Sequence, residues 1–132
     1  MFACSLDRSA KLWDLRTSKM LASFSGHIDY INSATTAYSS KRGFTGSSDR
    51  TLKEWDFEQR KLVKTYSNNS GVFSTCMSNN DNYIYSGHAD GSIKIWSVNF
   101  SDKPEQILDI HYDTVLSIKN GKNDYQILTL SK

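Results

Sequence analysis

Short runs in which apolar or β-branched residues alternate with small or polar ones recur along the whole chain. Each is closed by a cluster of Ser, Asn, Gly, Asp or charged residues. Alternation of period two between such clusters is the pattern of half-buried β-strands. It predicts strands at 2–5, 10–15, 20–24, 31–38, 43–47, 52–57, 62–66, 72–77, 83–86, 93–98, 106–110, 115–118 and 126–130. Polar hairpins or turns fall between them, as at 16–19, 39–42, 58–61, 78–82 and 120–124, and a longer loop at 99–104 holds the single Pro. No stretch carries helical periodicity, so the expected class is all-β.

A polar frame returns inside these runs. Asp7-Arg8-Ser9-Ala10-Lys11-Leu12-Trp13, Asp49-Arg50-Thr51-Leu52-Lys53-Glu54-Trp55 and Asp90-Gly91-Ser92-Ile93-Lys94-Ile95-Trp96 each place a Trp six residues after a turn Asp. The three Trp residues lie 42 and 41 positions apart. A period of about 40–45 residues with a Trp-Asp signature is that of four-stranded propeller blades. The strands then divide into a part-blade at 1–25, complete blades at 26–67 and 68–112, and the start of another at 113–132. Propellers close with about four to eight blades. The chain is therefore expected to be an open part of a longer ring, seven-bladed by analogy, in which the residue after Lys132 supplies the next turn Asp. Strand edges and blade faces left open at the two ends are expected to make this piece poorly stable alone.

Composition narrows the function classes. Sixteen basic and fourteen acidic side chains leave a net charge of +2 in 132 residues, which gives no mandate for nucleic acid. The recurring Arg8, Arg50, Lys11, Lys53 and Lys94 read as a solvated blade pattern. No apolar run is long enough for a transmembrane helix, and the first residues carry no secretory pattern. Cys4 and Cys76 form no Cys-x-x-Cys pair. They read as buried free thiols, which favours the cytosol or nucleus, and a cytoplasmic location is expected. No Gly-rich phosphate loop, zinc-ligand spacing or paired-carboxylate motif is present, so no cofactor or metal is expected.

The repeated unit resembles the WD40 repeat, and the resemblance covers essentially the whole chain. In that family a loop His, a second-strand Ser or Thr, the turn Asp and the third-strand Trp form a hydrogen-bonded set. The matching positions are His27, Thr45 or Ser47, Asp49 and Trp55, with Asp7 and Trp13 in the first unit and Asp90 and Trp96 in the third. A buried indole N–H needs an acceptor, and a hydroxyl relaying to His and Asp supplies one. The third unit departs from the pattern. Asn68-Asn69 stands where Gly-His is expected, and Ser97 replaces the Asp after the Trp. His88 stands where the second unit has Ser47. It is either a packed strand histidine or a surface ligand, and packing is favoured because a lone His seldom holds a metal. His111 precedes the fourth unit without the usual Gly. Glu54, at a position that is Leu12 and Ile95 in the sister units, should lie near the blade rim or find a basic partner.

The order of the units is similar to the WD40 domain of the autophagy-related protein sixteen family. The resemblance rests on 46–57, on 85–96, and on 7–13 followed by Phe24-Ser25-Gly26-His27. It implies a non-catalytic platform for protein partners in autophagosome assembly, with peripheral recruitment to membranes through the rest of a longer protein. It also implies that the Asp turns and the loops before each first strand share one face. The candidate partner contacts there are Arg8, Asp29, Tyr30, Ser48, Arg50, Ala89 and Tyr112. The alternatives are a scaffold subunit of another cytosolic or nuclear complex and, from a different class, a propeller hydrolase. The hydrolase needs convergent acid–base groups that the repeat frame has not already claimed. His27 with Asp49 is such a claimed pair.

Overall fold

The computed structural model describes residues 1–39, 41–99, 102–123 and 126–132. The expected turn positions Ser40 and Asp124 and the loop positions Phe100 and Ser101 lie outside the described residues. Among those described, there is no helix and there are thirteen strands. A first antiparallel sheet holds β1 (Phe2–Cys4), β2 (Ser9–Asp14) and β3 (Lys19–Ser25). The next, in order along the sheet, holds β4 (Ile31–Thr36), β5 (Arg42–Ser47), β6 (Thr51–Asp56) and β7 (Lys61–Ser67). A second four-stranded sheet holds β8 (Val72–Met77), β9 (Tyr83–His88), β10 (Ser92–Ser97) and β11 (Gln106–Asp109). A last pair joins β12 (Val115–Asn120) to β13 (Ile127–Ser131). This is an open, partial propeller: two complete blades between two part-blades.

Strand register puts equivalent residues at equivalent places. Lys11 lies opposite Ala3, Lys53 opposite Thr45 and Lys94 opposite Ser86. The register shifts at Leu12/Trp13 and again at Glu54/Trp55, so a bulge turns the outer strand at each of these Trp positions.

The blades are joined by what these Trp residues cover. Trp55 packs on Phe24 of the preceding blade's outer strand at a ring separation of 5.5 Å, and Trp96 packs on Tyr66 at 5.4 Å. Phe24 and Tyr66 hold the same register position, opposite Ala10 and Leu52. Burying a large aromatic removes some 150–250 Å² from water, and the edge-to-tilted ring geometry adds to it. Each junction is therefore an aromatic contact repeated one blade on. Around Trp96 the core gathers Phe44, Leu52, Met77 and Ile84. Around Trp55 it gathers Ala10, Phe24 and Ile31, with Phe2 and Phe57 at its margin.

Polar side chains cross between the innermost strands as well. Asn32 donates to the Val72 carbonyl at 2.9 Å, and Ser33 and Thr75 share a 2.8 Å bond. Ser74 donates to the Val115 carbonyl at 2.9 Å. These bonds tie β4 to β8 and β8 to β12, fixing the spacing of the loops above them.

One expectation about charge needs correction. Lys53 and Lys94 are buried rather than solvated, because their ammonium groups turn inward to Thr65 and Asn68. Of the two outcomes expected for Glu54 the second holds: it lies in the core at 1% exposure with a basic partner. It is held there by Arg42 at 2.6 Å and by the Tyr66 hydroxyl at 3.0 Å. Burial and the neighbouring Glu54 push the Tyr66 phenol well above its ordinary range, so the hydroxyl stays a donor. Cys4 and Cys76 are free and half-buried, with thiols pushed up by burial.

Candidate interaction face and the networks behind it

In the second blade one polar chain runs from the core to the loop surface. The Trp55 indole N–H donates to Thr45 Oγ at 2.8 Å. Thr45 Oγ lies 2.7 Å from His27 Nε2, and His27 Nδ1 lies 2.8 Å from Asp49 Oδ2. One polarity satisfies every member: indole to hydroxyl, hydroxyl to Nε2, and Nδ1–H to carboxylate. The remaining capacity of Asp49 is taken by the backbone N–H of Ile28 and by the backbone and hydroxyl of Thr51. Burial holds the His27 imidazole below its ordinary range against the pull of Asp49, so it is neutral at pH 7. Burial also works against ionisation of Asp49. The bonds from Thr51 and His27 win, and its carboxyl sits below the usual carboxylate range.

Between the two hydroxyls open at this point, Thr45 rather than Ser47 meets Trp55 and His27. Ser47 instead accepts from the Asp49 backbone N–H at 3.1 Å and reaches the Asp29 carbonyl at 3.3 Å. The signal was in the register: Thr45 lies ten residues before its Trp, as Ser86 does.

The third blade reaches the same end by another route. Trp96 donates to Ser86 Oγ at 2.8 Å, and Ser86 Oγ lies 2.9 Å from His88 Nε2. His88 is fully buried, and its other nitrogen faces the Ser70 carbonyl at 3.4 Å. The imidazole missing from Asn68-Asn69 is thus supplied from β9, two residues beyond the hydroxyl it serves. Burial, helped by Lys94, pushes His88 down to about 4. Asp90 does not join this chain; it binds the backbone and hydroxyl of Ser92. In the first sheet Ala3 occupies the hydroxyl position ten residues before the half-buried Trp13, and Asp7 binds Ser9 and Lys11. The final pair repeats the His–Thr step, with His111 Nε2 lying 2.8 Å from Thr129 Oγ.

The shared local device is an Asp that folds onto the Ser or Thr two residues on. Asp7, Asp49 and Asp90 each accept both the backbone N–H and the hydroxyl of Ser9, Thr51 and Ser92, the hydroxyl at 2.6 Å. This bridged turn forces the next residue toward left-handed backbone. Arg8, Arg50 and Gly91 follow the Asp with φ of 68°, 67° and 84°. At Gly91 glycine has a second reason: a Cβ there would collide with the His111 carbonyl.

The loops above these networks are bonded to one another. Ser48 N–H donates to the Tyr30 carbonyl at 3.0 Å, and Asn32 donates to Ser48 Oγ at 2.9 Å. Ala89 N–H donates to the Gly71 carbonyl at 3.0 Å, and Thr114 Oγ to the Ala89 carbonyl at 3.3 Å. Tyr30, Ser48 and Asp29 therefore come together on one edge of the second blade, and Ala89 lies beside the loop that carries Tyr112. Arg8, Tyr30, Arg50, Ala89 and Tyr112 are exposed, while Asp29 and Ser48 are half-buried. Asp29 is occupied in capping the Tyr30 N–H at 2.7 Å. Ile28, exposed at 81%, stands between His27 and Asp29 and was not singled out by the sequence. Among the described residues no group of three or more His, Cys, Asp or Glu is placed to hold a metal ion. No helix among them is long and apolar enough to cross a membrane.

These features define a repeat protein built from Trp-centred propeller blades. Residues 18–56 and 60–97, together more than half of the chain, match the family model of the WD domain, G-beta repeat, and the chain belongs to the WD40 repeat family. Repeats of this family form protein-interaction scaffolds. The chain is 27% identical over 104 residues to Autophagy-related protein 16 of Arabidopsis thaliana, covering 75% of this chain and 20% of that protein. It is 31% identical over 134 residues to Protein tipD of Dictyostelium discoideum, covering 97% of this chain and 21% of that one. It is 45% identical over 91 residues to WD40 repeat-containing protein HOS15 of Arabidopsis thaliana, covering 69% and 15%. The chain thus spans about a fifth or less of the length of these relatives.

Proposed function

We propose that this chain is a non-catalytic protein-binding platform and that its contact surface is the face carrying the Asp turns. The observation that carries the reading is the bonding of neighbouring loops, Tyr30 to Ser48 and Gly71 to Ala89 within their blades and Thr114 to Ala89 across a junction. A loop surface held rigid by the scaffold beneath it loses little entropy on binding. Tyr30, Arg50, Arg8 and Tyr112 are the contacts expected to matter most, since Tyr and Arg dominate binding hot spots. Asp29, Ser48 and Ala89 shape the surface between them. The histidine–aspartate pair supports the non-catalytic side of the reading. Both nitrogens of His27 are engaged and the residue is 6% exposed, so no base is offered to a substrate.

The finer assignment is to autophagosome assembly in the cytoplasm, as a protein of the autophagy-related protein sixteen type. It rests on the similarity to Autophagy-related protein 16 and on the order of the three distinct units. The test is affinity capture from starved cells with the native chain and with a Tyr30→Ala/Arg50→Glu variant of unchanged circular dichroism. Autophagy proteins held by the first and lost by the second are the expected result. Partners retained by the variant would move the contact surface elsewhere, and a partner set from another complex would remove the autophagy assignment.

A further inference from the structure

We propose that the outer rim of the first two blades docks onto an anionic lipid bilayer. The hairpin from β2 to β3 and the hairpin from β6 to β7 repeat one arrangement. Ser18 and Arg60 take left-handed backbone at φ 54°, a Lys follows at 19 and 61, and two aliphatic side chains come next. Met20 and Leu21 are 50% and 46% exposed, and Leu62 and Val63 are 41% and 46% exposed. The two hairpins belong to adjacent blades, whose junction is closed by Phe57 packing on Phe2 and Phe24 of the first sheet at 5.1 and 5.8 Å.

The charge on this rim is positive and largely uncommitted. Among the described residues Lys19, Lys41, Arg60 and Lys61 make no ion pair, and Arg16 makes only a 3.9 Å contact with Asp14. Of the nearby carboxylates, Asp56 is occupied by the Gln59 N–H, and Glu58 is exposed. A ligand that reads a cation followed by two shallow aliphatics, twice, at one blade's spacing, needs an extended negative surface with an apolar layer beneath it. The three cavities around Tyr85, Cys76 and Phe44 are lined by none of the four aliphatic side chains. A bilayer needs no cavity: lysines sit among anionic headgroups while aliphatic tips enter the acyl boundary. The rim is separate from the Asp-turn face, so this proposal stands apart from the protein-binding reading.

The test is vesicle flotation of the 132-residue chain. Phosphatidylcholine vesicles are compared with vesicles that also contain phosphatidylserine, with near-UV circular dichroism as the folding control. Binding to the serine-containing vesicles alone, weakened by added salt, is expected. Lys19→Glu/Lys61→Glu should weaken it by about 30-fold or more, at about fivefold per lysine lost near a charged surface. Leu21→Ser/Val63→Ser should weaken it without changing its salt dependence. Equal binding to both vesicle types, or wild-type binding by the charge variant, would overturn the proposal. So would poly-glutamate beads that retain the chain as well as vesicles do, which would identify a soluble acidic partner instead.

Discussion

Thr45 is the one side chain on which two buried partners of the second blade both depend, and removing its hydroxyl tests the whole network. Thr45→Val keeps the shape of the side chain and deletes a single oxygen. The Trp55 N–H then has no acceptor and His27 Nε2 has no donor, both inside a region closed to water. Leaving a buried polar group unpaired costs about 1–3 kcal/mol, so two of them cost about 3 kcal/mol after partial relaxation. With a urea slope of about 1–3 kcal/mol/M for a small domain, the unfolding midpoint should fall by about 1.5 M. Thr45→Ser keeps the oxygen and loses one methyl group, a cost of about 1 kcal/mol. Ser47→Ala removes only the 3.1 and 3.3 Å bonds of that hydroxyl and should also cost about 1 kcal/mol. Trp55→Phe removes the donor, so in that background Thr45→Val should cost at least about 1 kcal/mol less. A Thr45→Val chain no weaker than Thr45→Ser, or a cycle with no coupling, would refute the argument.

Three further outcomes follow from the same structure. His88 is held neutral with a pKa of about 4 against an ordinary value of about 6.5, so the unfolded chain takes up the proton first. Its contribution is complete above pH 6.5 and is lost as the pH falls through 4, a total of about 3 kcal/mol; His88→Gln should flatten urea midpoints measured across that window. Arg42→Ala strands the buried Glu54 carboxylate and should cost about 3 kcal/mol. Glu54→Gln in the same background, which still accepts from Tyr66, should recover half or more of that loss by thermal melting. Gly91→Arg recreates the wording of the second blade's turn but drives a Cβ into the His111 carbonyl. It should cost about 2 kcal/mol or more, whereas Arg50→Gly relieves a left-handed residue and should change stability by less than about 1 kcal/mol.

What the sequence shows of this fold is its period. Strand alternation and the Trp spacing need only local chemistry, so all thirteen strands begin and end within two residues of their expected places. The hydrogen-bond partners are less legible, because they depend on which side of the pleat a residue takes after a bulge. Thr45 and Ser47 lie on one face of the same strand, and only the register opposite Lys53 distinguishes them. His88 looks unplaced in the sequence because its partner, Ser86, sits two residues before it rather than eighteen after, as Thr45 does from His27. Glu54 reads in the sequence as either a rim residue or one with a basic partner. Arg42 and Tyr66, twelve residues to either side, make it a core one. The inter-blade bonds of Asn32 and Ser74 have no sequence signature, since they report the spacing between sheets.

The networks also decide what charge the proposed interaction face can present. Each turn Asp lies beside a potential cation, yet its oxygens are spent on the Ser or Thr two residues on and, in the second blade, on His27 and Ile28. The carboxylate that shapes the turn is therefore unavailable to neutralise the residue that follows it. Arg8 and Arg50 make no ion pair among the described residues, and both are exposed. In the third blade the His111 backbone leaves no room for a side chain at that position, and Gly91 takes it. The face thus runs from two free cations on the first blades to exposed Ala89 and Tyr112 beyond the third. The gradient follows from backbone packing at the turns. A partner that spans it should place its acidic end over Arg8 and Arg50 and an apolar or aromatic end over Tyr112. Arg50→Glu should therefore slow association and reduce its salt dependence, and Tyr112→Ala should weaken binding at every salt concentration alike.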